Sequence, residues 1–166
     1  SVILKGNYFG FEDVAYQRYL TSNWHLIASP VIEQSLVDHK NEVATNGNKY
    51  AIATYNNSFS LGNRYVYYTN SEGSNDITGA NYYKDSKGYS IKKSTAGSVS
   101  FIGRLNTSDT QIAISDNSSG VGNKWNLIGN PYTSALNANN SANSNYNFLK
   151  VNLNKLDPNF AALSIY

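Results

Sequence analysis

Trp24-His25-Leu26-Ile27-Ala28-Ser29-Pro30 and Trp125-Asn126-Leu127-Ile128-Gly129-Asn130-Pro131 align without a gap and agree at four of seven positions. In an extended chain successive side chains point to opposite faces, so Trp and Leu share one side of each segment and Ile takes the other. Proline has no N–H to give to a ladder, and each strand is expected to close there. Aromatic rings carry the largest apolar surface a core can bury. The expectation is therefore that Trp24 with Leu26, and Trp125 with Leu127, pack inside as equivalent core strands. The competing reading makes the Trp ring an exposed platform for a sugar.

Working outward from these segments, the rest of the chain alternates in short stretches. Val14 to Leu20 and Trp24 to Ala28 read as paired strands across the turn Thr21-Ser22-Asn23. Lys49 to Tyr55 places Tyr50, Ile52 and Thr54 on one face, and Arg64 to Thr69 carries apolar surface on both. Gly88 to Lys93 alternates with Tyr89 and Ile91 inward and Ser90 and Lys92 outward, and Ser98 to Gly103 repeats the pattern through Val99 and Phe101. The turn Thr95-Ala96-Gly97 reads as joining these two in a hairpin. Thr110 to Ile114 and Lys124 to Gly129 read as further strands, Asn70 to Asn81 and Thr133 to Asn145 as polar loops, and Tyr146 to Leu149 as order resuming with one helical turn. The last residues, Ala161 to Tyr166, read as the start of a strand.

Composition agrees with that pattern. The chain has 166 residues, suited to one domain, with 14 Tyr, 25 Asn, 12 Gly and only 14% charged residues. Tyr, Val, Ile and Thr favour pleated strands, whereas Asn, Gly and Ser favour turns. The fold class expected is all-β and β-sandwich-like, with about eight to ten short, mostly antiparallel strands joined by long Asn/Ser/Gly-rich loops. Residues 1–166 form a single β-rich domain or a fragment of a larger protein, with pseudo-repeat halves at 14–123 and 124–166, the second incomplete. A start at Ser1 and the lack of any Met fit a processed chain or one piece of a longer polypeptide.

Several function classes recede on the same numbers. Net charge is +2 and the basic residues are scattered, so there is no concentrated cationic face of the kind that binds nucleic acid by counterion release. No apolar run approaches the roughly 20 residues of a membrane span. Without Cys there are no disulfides or thiolate metal sites. The only imidazoles that could serve a hydrolytic triad are His25, expected opposite Trp24 on its strand, and His39, expected in a solvated loop between Asp38 and Lys40. Glycoside hydrolysis needs two carboxylates across one cleft, and Glu12-Asp13, Glu33, Asp38 and Glu42 form the only loose concentration of acids. Calcium is the one cofactor with a weak signal, because Asp116-Asn117-Ser118-Ser119-Gly120 and Asp76 to Asp85 offer oxygen ligands without the alternating loop pattern. No other metal or cofactor is expected, and the chain reads as not an enzyme.

The second Trp segment with its flanks, Lys124 to Tyr132, resembles a segment of large surface proteins of Bacteroidota that carry a C-terminal type 9 secretion sorting domain. Arg18-Tyr19-Leu20, Trp24 to Pro30, Lys87-Gly88-Tyr89, Phe101 to Thr107 and Ile165-Tyr166 match the same family in the same order. Thr133 stands where that family often has a second proline, and Ser86 where it has a glycine. The resemblance implies a β-rich region placed before a sorting domain, exported from a Gram-negative bacterium to the cell surface or outer membrane.

The function expected is a non-catalytic extracellular module for adhesion, display or glycan binding, with a polysaccharide or cell-surface polymer as partner. The alternatives are a cargo segment held by the type 9 export machinery and a fragment of a polysaccharide-degrading enzyme. Sugar rings stack on aromatic faces while amides and guanidinium groups meet their hydroxyls. Tyr67, Tyr68, Tyr82, Tyr83 and Arg104 are the candidate binding residues.

Overall fold

The computed structural model describes residues 13–69, 82–138, 147–159 and 162–163. It is all-β and sandwich-like, with two antiparallel sheets. β1 (Val14–Leu20), β8 (Gly97–Leu105) and β3 (Val31–Ile32) form one, in the order β1-β8-β3. The other runs β2 (Trp24–Ile27), β7 (Tyr89–Lys92), β5 (Lys49–Tyr55), with β4 (Thr45–Asn46) and β6 (Tyr65–Thr69) also paired to β5. Ala53 pairs with both Ser90 of β7 and Tyr67 of β6, so those two strands flank β5 on opposite sides.

Alternation sorts the five-stranded sheet into two faces. Ile27, Tyr89, Ile91, Ile52 and Tyr68 point inward and meet Leu20, Val31, Val99 and Phe101 in one apolar core. Ile52 and Ile91 are completely enclosed, each stabilising the fold by about 1.5–3 kcal/mol relative to exposure. The opposite face carries Trp24, Leu26, Ser90, Lys92, Ala53 and Tyr67, as the strand register requires.

Two expected hairpins are instead arches. β1 and β2 belong to different sheets, and so do β7 and β8. Each of these strands has one apolar face, and burying two such faces against each other from opposing sheets satisfies them as well as pairing side by side. The arch after β1 is fixed by His25 Nε2, which accepts from the Thr21 backbone N–H at 3.1 Å and lies 2.9 Å from its hydroxyl. The arch after β7 is spanned by the Lys93 ammonium, which donates to Ser98 O at 3.0 Å and Glu42 Oε2 at 2.8 Å.

Two expected strands are irregular chain. Thr110 to Ile114 has no ladder partner, and Lys124 to Gly129 makes a single bridge, Ile128 with Lys87. Side-chain amides take the place of the ladder there. Asn126 accepts from Ser115 N and donates to the carbonyls of Ser115 and Lys124. Buried Asn57 donates to Ser115 O at 2.8 Å and accepts from the Ser115 hydroxyl and Asn117 Nδ2.

The chain divides into two compact units, Ser1–Thr133 and Ser134–Tyr166, and the second Trp segment lies in the first of them. The second unit contains a short helix, α1 (Phe148–Asn152), whose Asn147 side chain accepts from Lys150 N at 3.2 Å as an N-cap. It realises the helical turn expected near Leu149. The loop Asn70 to Asn81 lies outside the described residues, as does most of the terminal strand expected at 161–166.

Candidate functional site

The two tryptophans expected in the core are at the surface: Trp24 is 48% exposed and Trp125 58%. Trp24 and Leu26 do share a face, but it is the outer one, and Ile27 on the opposite face enters the core at 4% exposure. Leu26 and Leu127 are half-buried. The cause is register. Trp24 stands directly opposite Lys92, and cross-strand neighbours point the same way. The signal lay in the sequence, since Lys92 reads as outward and Ile91 as inward; what was missing was the pairing of β2 with β7.

On that outer face Trp24 meets Tyr67, with ring centroids 6.0 Å apart and planes at 61°. Tyr67 lies under the ammonium of Lys49, 5.9 Å from the ring centroid, within reach of a cation–π contact. Further along the same strands Tyr55 and Tyr65 pack edge to face at 5.4 Å, and the Tyr55 hydroxyl accepts from Asn123 Nδ2 at 2.7 Å. On the strands between β2 and β6, Lys92 stands beside Trp24, and the outward positions in the row of Tyr67 are small: Ser90 and Ala53. Edge-to-face rings over a floor of small residues make a firm apolar platform, rimmed by amides and ammonium groups, that can stack a flat ligand and pair with its hydroxyls.

The five candidate binding residues fall in three places. Tyr67 belongs to the platform. Tyr68 and Tyr83 are inside, at 9% and 3% exposure, and cannot stack an external ligand. Tyr82 and Arg104 lie at a separate shallow cleft, which Asp13, Glu33, Tyr82, Ile102 and Gly103 line and which encloses about 320 Å³. There Arg104 Nη2 pairs with Glu33 Oε1 at 2.5 Å. Glu33 adopts a left-handed backbone conformation, φ 66°, uncommon for a residue with a side chain. Its negative charge, after burial, raises the carboxyl of Asp85 above the usual range. Sequence reasoning had Trp24 as an exposed platform only in the competing reading, and it missed Lys49 and Tyr55.

His39 is buried, at 1% exposure, rather than solvated. It lies in a 3-10 turn, Val37–His39. Its Nε2 donates to Ser100 O at 2.9 Å, which leaves Nδ1 to accept from the Tyr83 hydroxyl at 2.8 Å. The ring also stacks edge-on against Phe101 at 5.1 Å. Burial keeps the Tyr83 hydroxyl protonated well above the ordinary tyrosine range, aided by the charges of Tyr89, Glu42 and Asp38. Beside it Gln34 accepts from Ile102 N and donates to Asp38 Oδ2 at 3.0 Å, binding β8 to the segment after β3. Both ring nitrogens of His39 therefore hold the interior together.

Of the acids that concentrate in the sequence, Glu42 faces Lys93, Glu33 Arg104 and Asp38 Gln34, Asp13 lines the same cleft as Glu33, and Glu12 lies outside the described residues. In the loop read as a weak calcium signal, Asp116 Oδ1 accepts from the N–H and hydroxyl of Ser118, which lowers its carboxyl below the usual range. Among the described residues no three His, Asp or Glu side chains gather as a metal site. No helix among them is long and apolar enough to cross a membrane. No protein-family model, curated protein or solved structure matches the chain.

Proposed function

We propose that this chain is a non-catalytic glycan-binding module of an exported surface protein, and that it binds through the outer face of its five-stranded sheet. The observation that carries the reading is the position of Trp24, half-exposed on a rigid strand and braced by Tyr67 at 6.0 Å. A large aromatic ring left in water is a lost opportunity for burial unless something covers it. Pyranose rings present apolar C–H faces that cover such a ring, and their hydroxyls meet the surrounding amides, hydroxyls and ammonium groups. The resemblance of the Trp segments to Bacteroidota surface proteins supports an extracellular setting in which polysaccharides are the abundant ligands.

The test is affinity electrophoresis through gels containing a panel of soluble polysaccharides, comparing the parent chain with Trp24→Ala, Tyr67→Ala and Trp125→Ala. Retardation by at least one polymer that is lost in the first two variants and kept in the third supports the reading. Equal mobility of the parent chain in every gel, with and without polymer, would overturn it.

A further inference from the structure

We infer that the ligand of this platform is an acidic glycan, a polymer whose sugars carry carboxylate or sulfate groups; the inference rests on the glycan-binding reading above. Each ring of the central pair has its own cation. Lys92 stands directly opposite Trp24 across the β2–β7 ladder, where facing side chains lie about 5 Å apart at Cβ. The Lys49 ammonium sits 5.9 Å from the centroid of Tyr67. Each ring thus has a lysine as its neighbour, and an acidic sugar offers the complement: a C–H face for the ring and an anionic group at its edge.

Charge on the rest of the face points the same way. The strands β2, β5, β6 and β7 contain no Asp or Glu at any position. Lys93, the inward neighbour of Lys92, is neutralised by Glu42 at 2.8 Å. Among the described residues Lys49 and Lys92 have no carboxylate partner. Arg104 and Lys124 are neutralised in the same way, by Glu33 and Asp116, whereas Arg64 on the loop before β6 donates to the carbonyls of Phe59 and Val121. Single-stranded nucleic acid also stacks on rings and carries anions, but it needs a longer cationic track than two lysines on a chain of net charge +2.

The experiment is affinity electrophoresis at low and high salt with four matched polymers: polygalacturonate, its methyl-esterified form, dextran sulfate and dextran, with polyuridylate as a fifth gel. The variants are Lys49→Gln, Lys92→Gln, Trp24→Ala and Lys124→Gln. The expected result is retardation by polygalacturonate or dextran sulfate well above the neutral counterpart. Each of Lys49→Gln and Lys92→Gln should weaken it by about threefold, salt should weaken it further, Trp24→Ala should abolish it, and Lys124→Gln should leave it unchanged. The two charged gels separate carboxylate from sulfate. Equal retardation by neutral and charged polymers, lost in Trp24→Ala but not in the lysine variants, overturns the acidic ligand while leaving the glycan-binding reading standing. Retardation by the charged gels that survives Trp24→Ala, or retardation by polyuridylate as strong as by either acidic glycan, overturns the inference. No retardation in any gel removes both readings together.

Discussion

The rings of Trp24 and Tyr67 touch across two intervening strands. β2 and β6 are separated by β7 and β5, three strand spacings or about 14 Å, yet the ring centroids are 6.0 Å apart. Both side chains must lean over the strands between them. In the row that ends at Tyr67 the outward residues of those strands are Ser90 and Ala53, which project little beyond the backbone, and Ala53 is fully covered.

A larger residue on that floor should part the rings. Ala53→Leu is expected to weaken retention of a polysaccharide that the parent chain binds by an amount comparable to Tyr67→Ala. Overpacking at a fully covered site should also lower stability by about 1–3 kcal/mol. Urea unfolding and affinity electrophoresis on the same preparation read both effects. Binding unchanged in Ala53→Leu would show that the ring contact is incidental.

The two Trp segments meet at equivalent positions. A methyl group on Gly129 would overlap the Cβ of Ala28 and approach Lys87 O at 3.1 Å, and Gly129 N donates to Ser86 O at 2.9 Å. Gly129→Ala should therefore destabilise the chain by about 1–3 kcal/mol. Adding Ala28→Gly should recover part of that loss, a coupling that a double-mutant cycle isolates. Strictly additive losses would mean that the two segments do not constrain each other.

The buried pair of Tyr83 and His39 predicts an alkaline limit. Burial raises Tyr83 well above 10.0, and it also raises Tyr89, whose hydroxyl accepts from Lys84 N and is partly drawn back by that bond. An unfolded tyrosine loses its proton near pH 10, whereas these two keep theirs in the folded chain. Their contribution to stability is complete below about pH 10 and declines as pH rises beyond it, because the unfolded state then binds fewer protons. Tyr83→Phe removes the donor to His39 Nδ1 and should cost about 1–3 kcal/mol at neutral pH. The variant should also lose stability less steeply from about pH 9 to about pH 11.5 on chemical unfolding. Parallel curves for parent and variant would contradict this.

Alternation made most of the strands legible. Val14–Leu20 and Lys49–Tyr55 have the bounds that the sequence suggests, and Tyr89 and Ile91 are inward as read. Pairing was not legible, because a turn of three or four residues looks the same whether the chain returns beside itself or arches to the other sheet. That ambiguity put Trp24 on the wrong side: Trp argues for burial by its size, while its true neighbour, Lys92, lies 68 positions away along the chain. The strands expected at Thr110 to Ile114 and around Trp125 were misread for a different reason. The asparagines that mark turns in the sequence use their amides here to replace ladder bonds over longer stretches. Tyr68 and Tyr83 were indistinguishable from Tyr67 and Tyr82 by residue type alone, and one-residue shifts in phase decided which of each pair faces out.

Trp24 reports on its own site directly. The chain has two Trp, so Trp125→Phe leaves Trp24 as the sole indole, and its emission can be followed as a soluble polysaccharide retained by the parent chain is added. Occupation of the platform predicts a saturable blue shift that disappears in the Trp125→Phe/Tyr67→Ala double variant. Saturable binding by the Trp125→Phe chain with no change in Trp24 emission would place the ligand elsewhere and contradict the account.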